Sequence, residues 1–340
     1  SGPTAVLEHG ANPGMVSHFV KLALRELSMK ILSDGIAGDR KAGLEEALAN
    51  DQFNMLAMLT GTKVIHISER DTQISTQPKE PNEFVNTWSV EGFYEEGIAP
   101  AELGWGTHER TLPKNGYAHT TDGPRNQICI AQPGMETWVR STVPSGEIHG
   151  MVIRHGEAYT MCEHLSVYDD SGTAIYRPTV HYAYCPTDAA IASVHELRWH
   201  NWEMQPKQRI MNNEIHSGRD ELGVLLMGHD YKSWWTGSQL SIDEARAILP
   251  GQSATTLQVA SSVMSAIVWM FDEPERGVCV PDDLPWETLL ATARPYLGTM
   301  FSGPIDWDPL STRVPVFPGF SDEGARLDHS DPWQFCNFLV

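Results

Sequence analysis

Between residues 15 and 32 apolar side chains return every three or four positions, with Val16, Phe19, Val20, Ala23, Leu24 and Leu27 on one stripe. This spacing predicts a helix. Ahead of it Thr4-Ala5-Val6-Leu7 has the pattern of a short buried strand, and Glu8-His9-Gly10-Ala11-Asn12-Pro13-Gly14 joins the two. Pro13 or Gly14 falls in the first helical turn, where a missing amide hydrogen costs nothing, and Asn12 is placed to cap. The result is one βα unit of a parallel sheet. A second helix is expected over 40–59. Lys63-Val64-Ile65-His66-Ile67 then reads as a strand whose apolar character stops at Ser68-Glu69-Arg70-Asp71. Two acids therefore sit at its carboxyl end, where open α/β folds place ligands. A polar link over 77–83 leads to a second strand over 84–90, which carries Trp88, and then to the glutamate-rich run Glu91-Gly92-Phe93-Tyr94-Glu95-Glu96-Gly97.

From 126 to 184 the pattern becomes a series of strands, expected at 127–130, 137–143, 148–153, 158–168 and 177–184 and separated by Pro-Gly, Ser-Gly and His-Gly turns. Pro186-Thr187-Asp188 opens a helix that runs to about Trp199, and strands return at 209–215 and 223–227. The last third is helical. Ser241-Ile242-Asp243-Glu244 has capping-box spacing, and helices follow at 255–270 and 285–296. From Phe301 the chain is rich in Pro, Asp and aromatics and reads as an ordered arm on the surface. The fold class is α/β (α+β), with a mixed or antiparallel sheet flanked by helices.

Composition narrows the partners. The formal charge of −20 over 340 residues argues against a nucleic-acid backbone, which needs clustered Lys and Arg, and suits a cationic substrate. Five scattered cysteines without a C-x-x-C pair indicate neither a disulfide framework nor a structural zinc site; they are expected to be reduced and mostly buried. The longest unbroken apolar run, 266–271, is too short to cross a bilayer, so a cytoplasmic protein without a membrane partner is expected.

Familiar catalytic motifs fail on inspection. Gly104-Trp105-Gly106-Thr107-His108-Glu109 lacks the third glycine of a dinucleotide fingerprint, and no Walker A sequence occurs. His195 and His200 are one residue too far apart to share a helix face as zinc ligands. No G-x-S-x-G elbow is present, and the strand expected over 161–164, whose neighbouring residues face opposite ways, is read as arguing against a Cys-His pair. His155 and Asp220 each fall at an expected turn between strands, where scaffolded sites gather their chemistry but where turn geometry also favours such residues.

The strongest chemical signal is the combination of Glu69, Asp71, Trp88 and Glu96. An indole face attracts an ammonium group through its quadrupole, and nearby carboxylates add Coulomb attraction. Taken singly, Trp88 could be core and the glutamates a solvated loop.

Three strings, Glu8 to Ser17, Lys63 to Gln73 and Asn86-Thr87-Trp88-Ser89, closely resemble bacterial homospermidine synthases, relatives of the saccharopine dehydrogenase-like reductases. The likeness runs over essentially the whole chain. It implies a bound NAD and the joining of two putrescine units into sym-homospermidine with loss of ammonia, by hydride removal, imine exchange and return of the hydride. It further implies that Glu69, Asp220 and His155 are catalytic and that Trp88, Glu96 and Asp71 bind the diamine. The segment containing His9, Gly10, Asn12, Pro13 and Gly14 would close against the cofactor. A homodimer is expected. The family's amino-terminal dinucleotide-binding half has no counterpart here, so residues 1–32 read as the last βα unit of a Rossmann-type domain. Residues 33–235 would then form the catalytic domain, and 236–340 a helical segment with the arm. Two alternatives remain at this level: a saccharopine- or carboxynorspermidine-type reductase, and a polyamine-binding or dimer-forming module without catalysis.

Overall fold

Val64, Ile65 and Ile67 are β-branched, and the strand they begin runs from Val64 through Asp71, so Glu69 and Asp71 lie within it and not beyond its end. It occupies the middle of a ten-stranded mixed sheet in the computed structural model, which describes residues 2–120, 123–314 and 327–340. On one side it pairs in parallel with Thr179–Cys185, on the other antiparallel with Arg219–His229. Beyond the latter lie Lys232–Ser241 and then Thr299–Ile305 at the edge. Beyond Thr179–Cys185 come Pro100–Gly104, Gln127–Pro133 and Gly116–Ala118, with the hairpin Trp138–Val143/Gly146–Met151 attached through Met151 and Tyr184. Every residue of Thr179–Cys185 is buried, as expected for a strand covered on both faces.

Alternation along these strands divides the core in two. Ile65, Ile67, Tyr182, Tyr184, Leu222 and Val224 belong to one apolar cluster, which helix α1 (Met15–Ser33) covers. Its predicted stripe, from Val16 to Leu27, is wholly buried, and each Val, Leu or Phe side chain in it contributes about 1.5–3 kcal/mol. Val64, Ala183, Leu225 and Met227 belong to the opposite cluster with Trp333, Phe335 and Phe338 of the carboxyl-terminal arm. The arm therefore closes a core face. It starts later than expected, because Thr299–Ile305 is a sheet strand. Part of it, 315–326, lies outside the described residues.

Several local expectations change. The helix expected over 40–59 is two, α2 (Lys41–Ala49) and α3 (Phe53–Thr60), broken where Asp51 adopts φ 50. Phe84 and Val85 lie in a strand, Glu83–Asn86, but this ends before Trp88, and the glutamate run is helix α4 (Val90–Ile98), capped by the Ser89 hydroxyl. Residues 158–168 are mainly helix α5 (Glu157–His164); buried Ala158, Met161, Cys162 and Leu165 have the i, i+3, i+4, i+7 spacing that a period-two reading overlooks. It is the helix that separates Cys162 from His164, because two residues turn it by about 200°, whereas residues two apart in a strand would have shared a face. Asp220 is inside the strand Arg219–His229, not at a turn. The boundary expected at 235 falls inside the strand Lys232–Ser241.

Other expectations hold. Helix α6 (Asp188–Trp199) is capped by Thr187, and α7 (Ile242–Ile248) carries the full Ser241/Glu244 capping box. Helices α8 (Ala254–Asp272) and α9 (Trp286–Ala293) pack together and against the rest. By length and composition α8 could cross a membrane; half of its most apolar stretch is buried inside the protein. All five cysteines are free, and Cys162, Cys185 and Cys279 are buried. The first strand, Gly2–Val6, pairs in parallel with Arg276–Cys279 in a two-stranded sheet of its own.

Candidate functional site

Period-two geometry places Glu69 and Asp71 on the same face of the central strand, the face that α1 covers. Across the sheet, Asp220 is the register partner of Asp71, and Tyr184 that of Glu69. Three carboxyl groups thus converge in the interior, and all are buried. Glu69 Oε2 accepts from Asn12 Nδ2 at 2.7 Å and from the Tyr182 hydroxyl. Asp71 accepts from the Gln73 amide at 2.9 Å and the Thr87 hydroxyl at 2.7 Å. The single Thr255 hydroxyl lies 2.8 Å from Asp220 Oδ2 and 3.2 Å from Asp71 Oδ2. One hydrogen cannot fully serve both acids, and Asp220 Oδ1 has no hydrogen-bond partner among the described residues.

Burial therefore governs their ionisation. It pushes the Glu69 carboxyl up to about 7 despite the hydrogen bonds from Tyr182 and Asn12. It raises Asp71 as well, against the bonds from Thr87, Gln73 and Thr255. Asp220 is held well above the carboxylate range by burial and then by the charges of Glu69 and Asp71. A cluster that retains protons at neutral pH would ionise more fully beside a bound cation.

Aromatic groups form the adjoining wall. Tyr182 and Tyr184 stack with centroids 5.2 Å apart, and Trp88 Nε1 donates to the Tyr184 hydroxyl at 2.8 Å. Trp88 occupies the corner between the strand Glu83–Asn86 and α4, where Gly92 leaves room for the indole: a Cβ there would lie 3.2 Å from Trp88 Cζ3. Glu95 and Glu96 project from α4 and line the cleft. His155, just before α5, lies 2.9 Å from Glu96 Oε2 through Nε2 and 3.1 Å from Glu157 Oε1 through Nδ1. Burial draws this imidazole down, but the Glu157 charge, with hydrogen bonds to Glu157 and Glu96, outweighs it and lifts the pKa to about 10.

The segment before α1 is a closed loop. Gly10 N donates to Pro13 O at 2.6 Å, and Met15 N to Gly10 O at 3.0 Å. Gly14, at φ 130, packs so tightly on the Gly10 backbone that a Cβ would overlap it. Asn12 does not cap the helix; its amide reaches Glu69 instead. His9 Nε2 lies 2.9 Å from His18 Nε2, and burial lowers the His9 pKa to about 4.

These elements enclose a cleft of about 610 Å³. Residues 10–302 match the saccharopine dehydrogenase C-terminal domain family. The whole chain is 46% identical to homospermidine synthase of Blastochloris viridis, covering 68% of that protein. It is 43% identical to homospermidine synthase of Mesorhizobium japonicum, covering 67% of it. The chain belongs to the homospermidine synthase family. The crystal structure of homospermidine synthase from Legionella pneumophila in complex with NAD superposes with a TM-score of 0.88 at 41% identity, over all of this chain and 71% of that one.

In this homospermidine synthase family member the cleft brings together Glu69, Trp88, Glu96, His155, His9, Gly10, Asn12 and Pro13. Asp71, Asp220 and Gly14 do not line it; the two acids stand behind Thr255, which does. Sequence reasoning missed Tyr182, Tyr184, Glu157 and Thr255. The alternation in Thr179-Val180-His181-Tyr182-Ala183-Tyr184 was a usable signal, since it placed both tyrosines on one face. Thr255 had none, because only packing of α8 against the sheet brings it between two acids.

Proposed function

We propose that this chain performs the amine chemistry of a homospermidine synthase, in which two putrescine units are joined to sym-homospermidine and ammonia is released. The observation that carries this reading is the buried trio Glu69, Asp71 and Asp220, of which Glu69 faces a cleft walled by Trp88 and Tyr182. An ammonium group in that cleft meets an indole face and acids that ionise in response to it.

Glu69 is the general base. An amine must be neutral before its neighbouring carbon can lose a hydride, and a carboxyl near 7 exchanges protons readily at neutral pH. Asn12 and Tyr182 orient its Oε2, and Asp71 and Asp220, both hydrogen-bonded by Thr255, add negative potential as a bound cation drives off their protons. Trp88 and Glu96 hold the diamine, with Glu96 steadied by His155.

When bound, NAD would supply the hydride acceptor and donor that interconverts amine and imine. The His9 to Pro13 loop fits a wall beside the cofactor and not a phosphate cradle. The first amides of α1, from Met15, Val16 and Ser17, already bond to Gly10, Ala11 and Gly14 carbonyls.

A reductase acting on amino-acid substrates would need a basic clamp for carboxylates. The guanidinium lining the cleft, that of Arg154, lies 3.9 Å from Glu102. Calorimetry with putrescine and with ornithine, its α-carboxylated counterpart, tests the reading: putrescine should bind at least about tenfold more tightly. Preference for ornithine overturns it. With NAD present and catalysis complete, homospermidine and ammonia should form in equal amounts; stoichiometric NADH would mean an ordinary dehydrogenase.

A further inference from the structure

Glu8 lines the cleft in a conformation that glutamate rarely adopts. Its φ is 54, in the left-handed region, where a residue with a Cβ is strained and where Asn and Asp are the usual exceptions. Such outliers persist where the surrounding structure imposes them, often at functional sites. Glu8 is exposed, and its carboxylate has no hydrogen bond or ion pair among the described residues.

The space that this carboxylate occupies exists because residue 156 is glycine. A Cβ on Gly156 would overlap Glu8 Oε2. The backbone of Gly156 does not itself require glycine, since φ −65 and ψ −32 are ordinary right-handed helical values. Two independent features, a strained glutamate and a glycine with no conformational need, thus serve the same placement. Gly156 follows His155, which holds Glu96. Glu8, from the loop after the first strand, and Glu96, from α4, therefore approach the His155–Gly156 segment from separate elements.

We infer that Glu8 is a further substrate-binding residue, which reads the second ammonium group of the diamine and so selects diamines over monoamines. This rests on the amine-binding function proposed above. An extended dication needs two separated negative sites. The Glu69 cluster and Trp88 supply one, and Glu8, beside Glu96 at the His155–Gly156 segment of the rim, supplies the other.

Two variants isolate the effect. Glu8→Gln removes the charge; Gly156→Ala keeps the charge but displaces the flexible end of Glu8, at little cost to a backbone already helical. Both are to be compared with the unaltered 340-residue chain by calorimetry with putrescine and with 1-butylamine, alongside thermal melting. Each variant should weaken putrescine binding about five- to tenfold while leaving 1-butylamine within about twofold and melting unchanged. If Glu96→Gln weakens putrescine binding and neither Glu8→Gln nor Gly156→Ala does, the role of Glu8 is overturned and the amine-binding function stands. Equal weakening toward both amines, or an effect of Gly156→Ala alone, also overturns it. If the unaltered chain binds no putrescine, both inferences fall.

Discussion

Glu157 Oε1 lies 3.1 Å from His155 Nδ1, and both side chains are buried. The second Glu157 oxygen has no hydrogen-bond partner among the described residues, so the carboxylate depends on the imidazolium for its countercharge. With Glu96 on the other nitrogen, His155 is a cation held between two acids, and its pKa of about 10 follows.

Glu157→Gln should therefore lower the His155 pKa well below 10, as read from its imidazole resonances in an NMR titration. The pH dependence of stability should move with it. A histidine raised from 6.5 to about 10 contributes stability that is intact below 6.5 and lost as pH rises through 10. In the variant that loss should begin at lower pH. An unchanged titration would mean that Glu96 alone holds the proton.

Glu69 predicts a second pH effect. Its carboxyl rises from 4.5 to about 7 on folding, so folding takes up a proton. The resulting stability is present below about 4.5 and is lost as pH rises through about 7, and Glu69→Gln should flatten melting temperature across this window. A bound dication favours the ionised acid and expels the proton. Putrescine binding at pH 7 should accordingly release protons, seen as a calorimetric enthalpy that varies with buffer, and the variant should release fewer.

Trp88 distinguishes binding from packing. Trp88→Phe should retain part of the amine affinity, whereas Trp88→Ala should lose about 1–2 kcal/mol of cation stabilisation. If the indole served only the core, Trp88→Ala would instead cost about 3–5 kcal/mol of folding stability. Trp88 is half-buried and lines the cleft, so near-normal melting with poor amine binding is expected.

Charge near the site should outweigh charge elsewhere. Glu96→Gln and Asp220→Asn should each weaken diamine binding, Asp220→Asn through the potential it shares with Glu69, while exposed Glu275→Gln should change it by under about 1 kcal/mol. Equal, small effects at all three positions would reduce the cleft to a solvated acidic surface.

Gly14→Ala should destabilise the protein by about 1–3 kcal/mol in urea unfolding, because φ 130 and the Gly10 backbone exclude a Cβ. A neutral result would mean that the loop opens easily.

Helices were legible wherever period and caps agreed: the α1 stripe, Thr187 before α6, and Ser241 with Glu244 before α7 all follow from spacing and local hydrogen bonding. The acids at the end of the Val64–Asp71 strand were equally legible, since period two puts Glu69 and Asp71 on one face whatever the strand pairs with. Short mixed segments were not. α5 looks strand-like in isolation and the glutamate run of α4 loop-like, and helical spacing prevailed in both once Phe93 and Met161 had a core to enter. Sequence also places Asp220 about 150 residues from Asp71; only sheet register makes them neighbours, and only the docking of α8 sets Thr255 between them. Local pattern thus identified the groups suited to a cation. Long-range pairing, which depends on surfaces that no single segment carries, decided which acids share protons and which of them face the cleft.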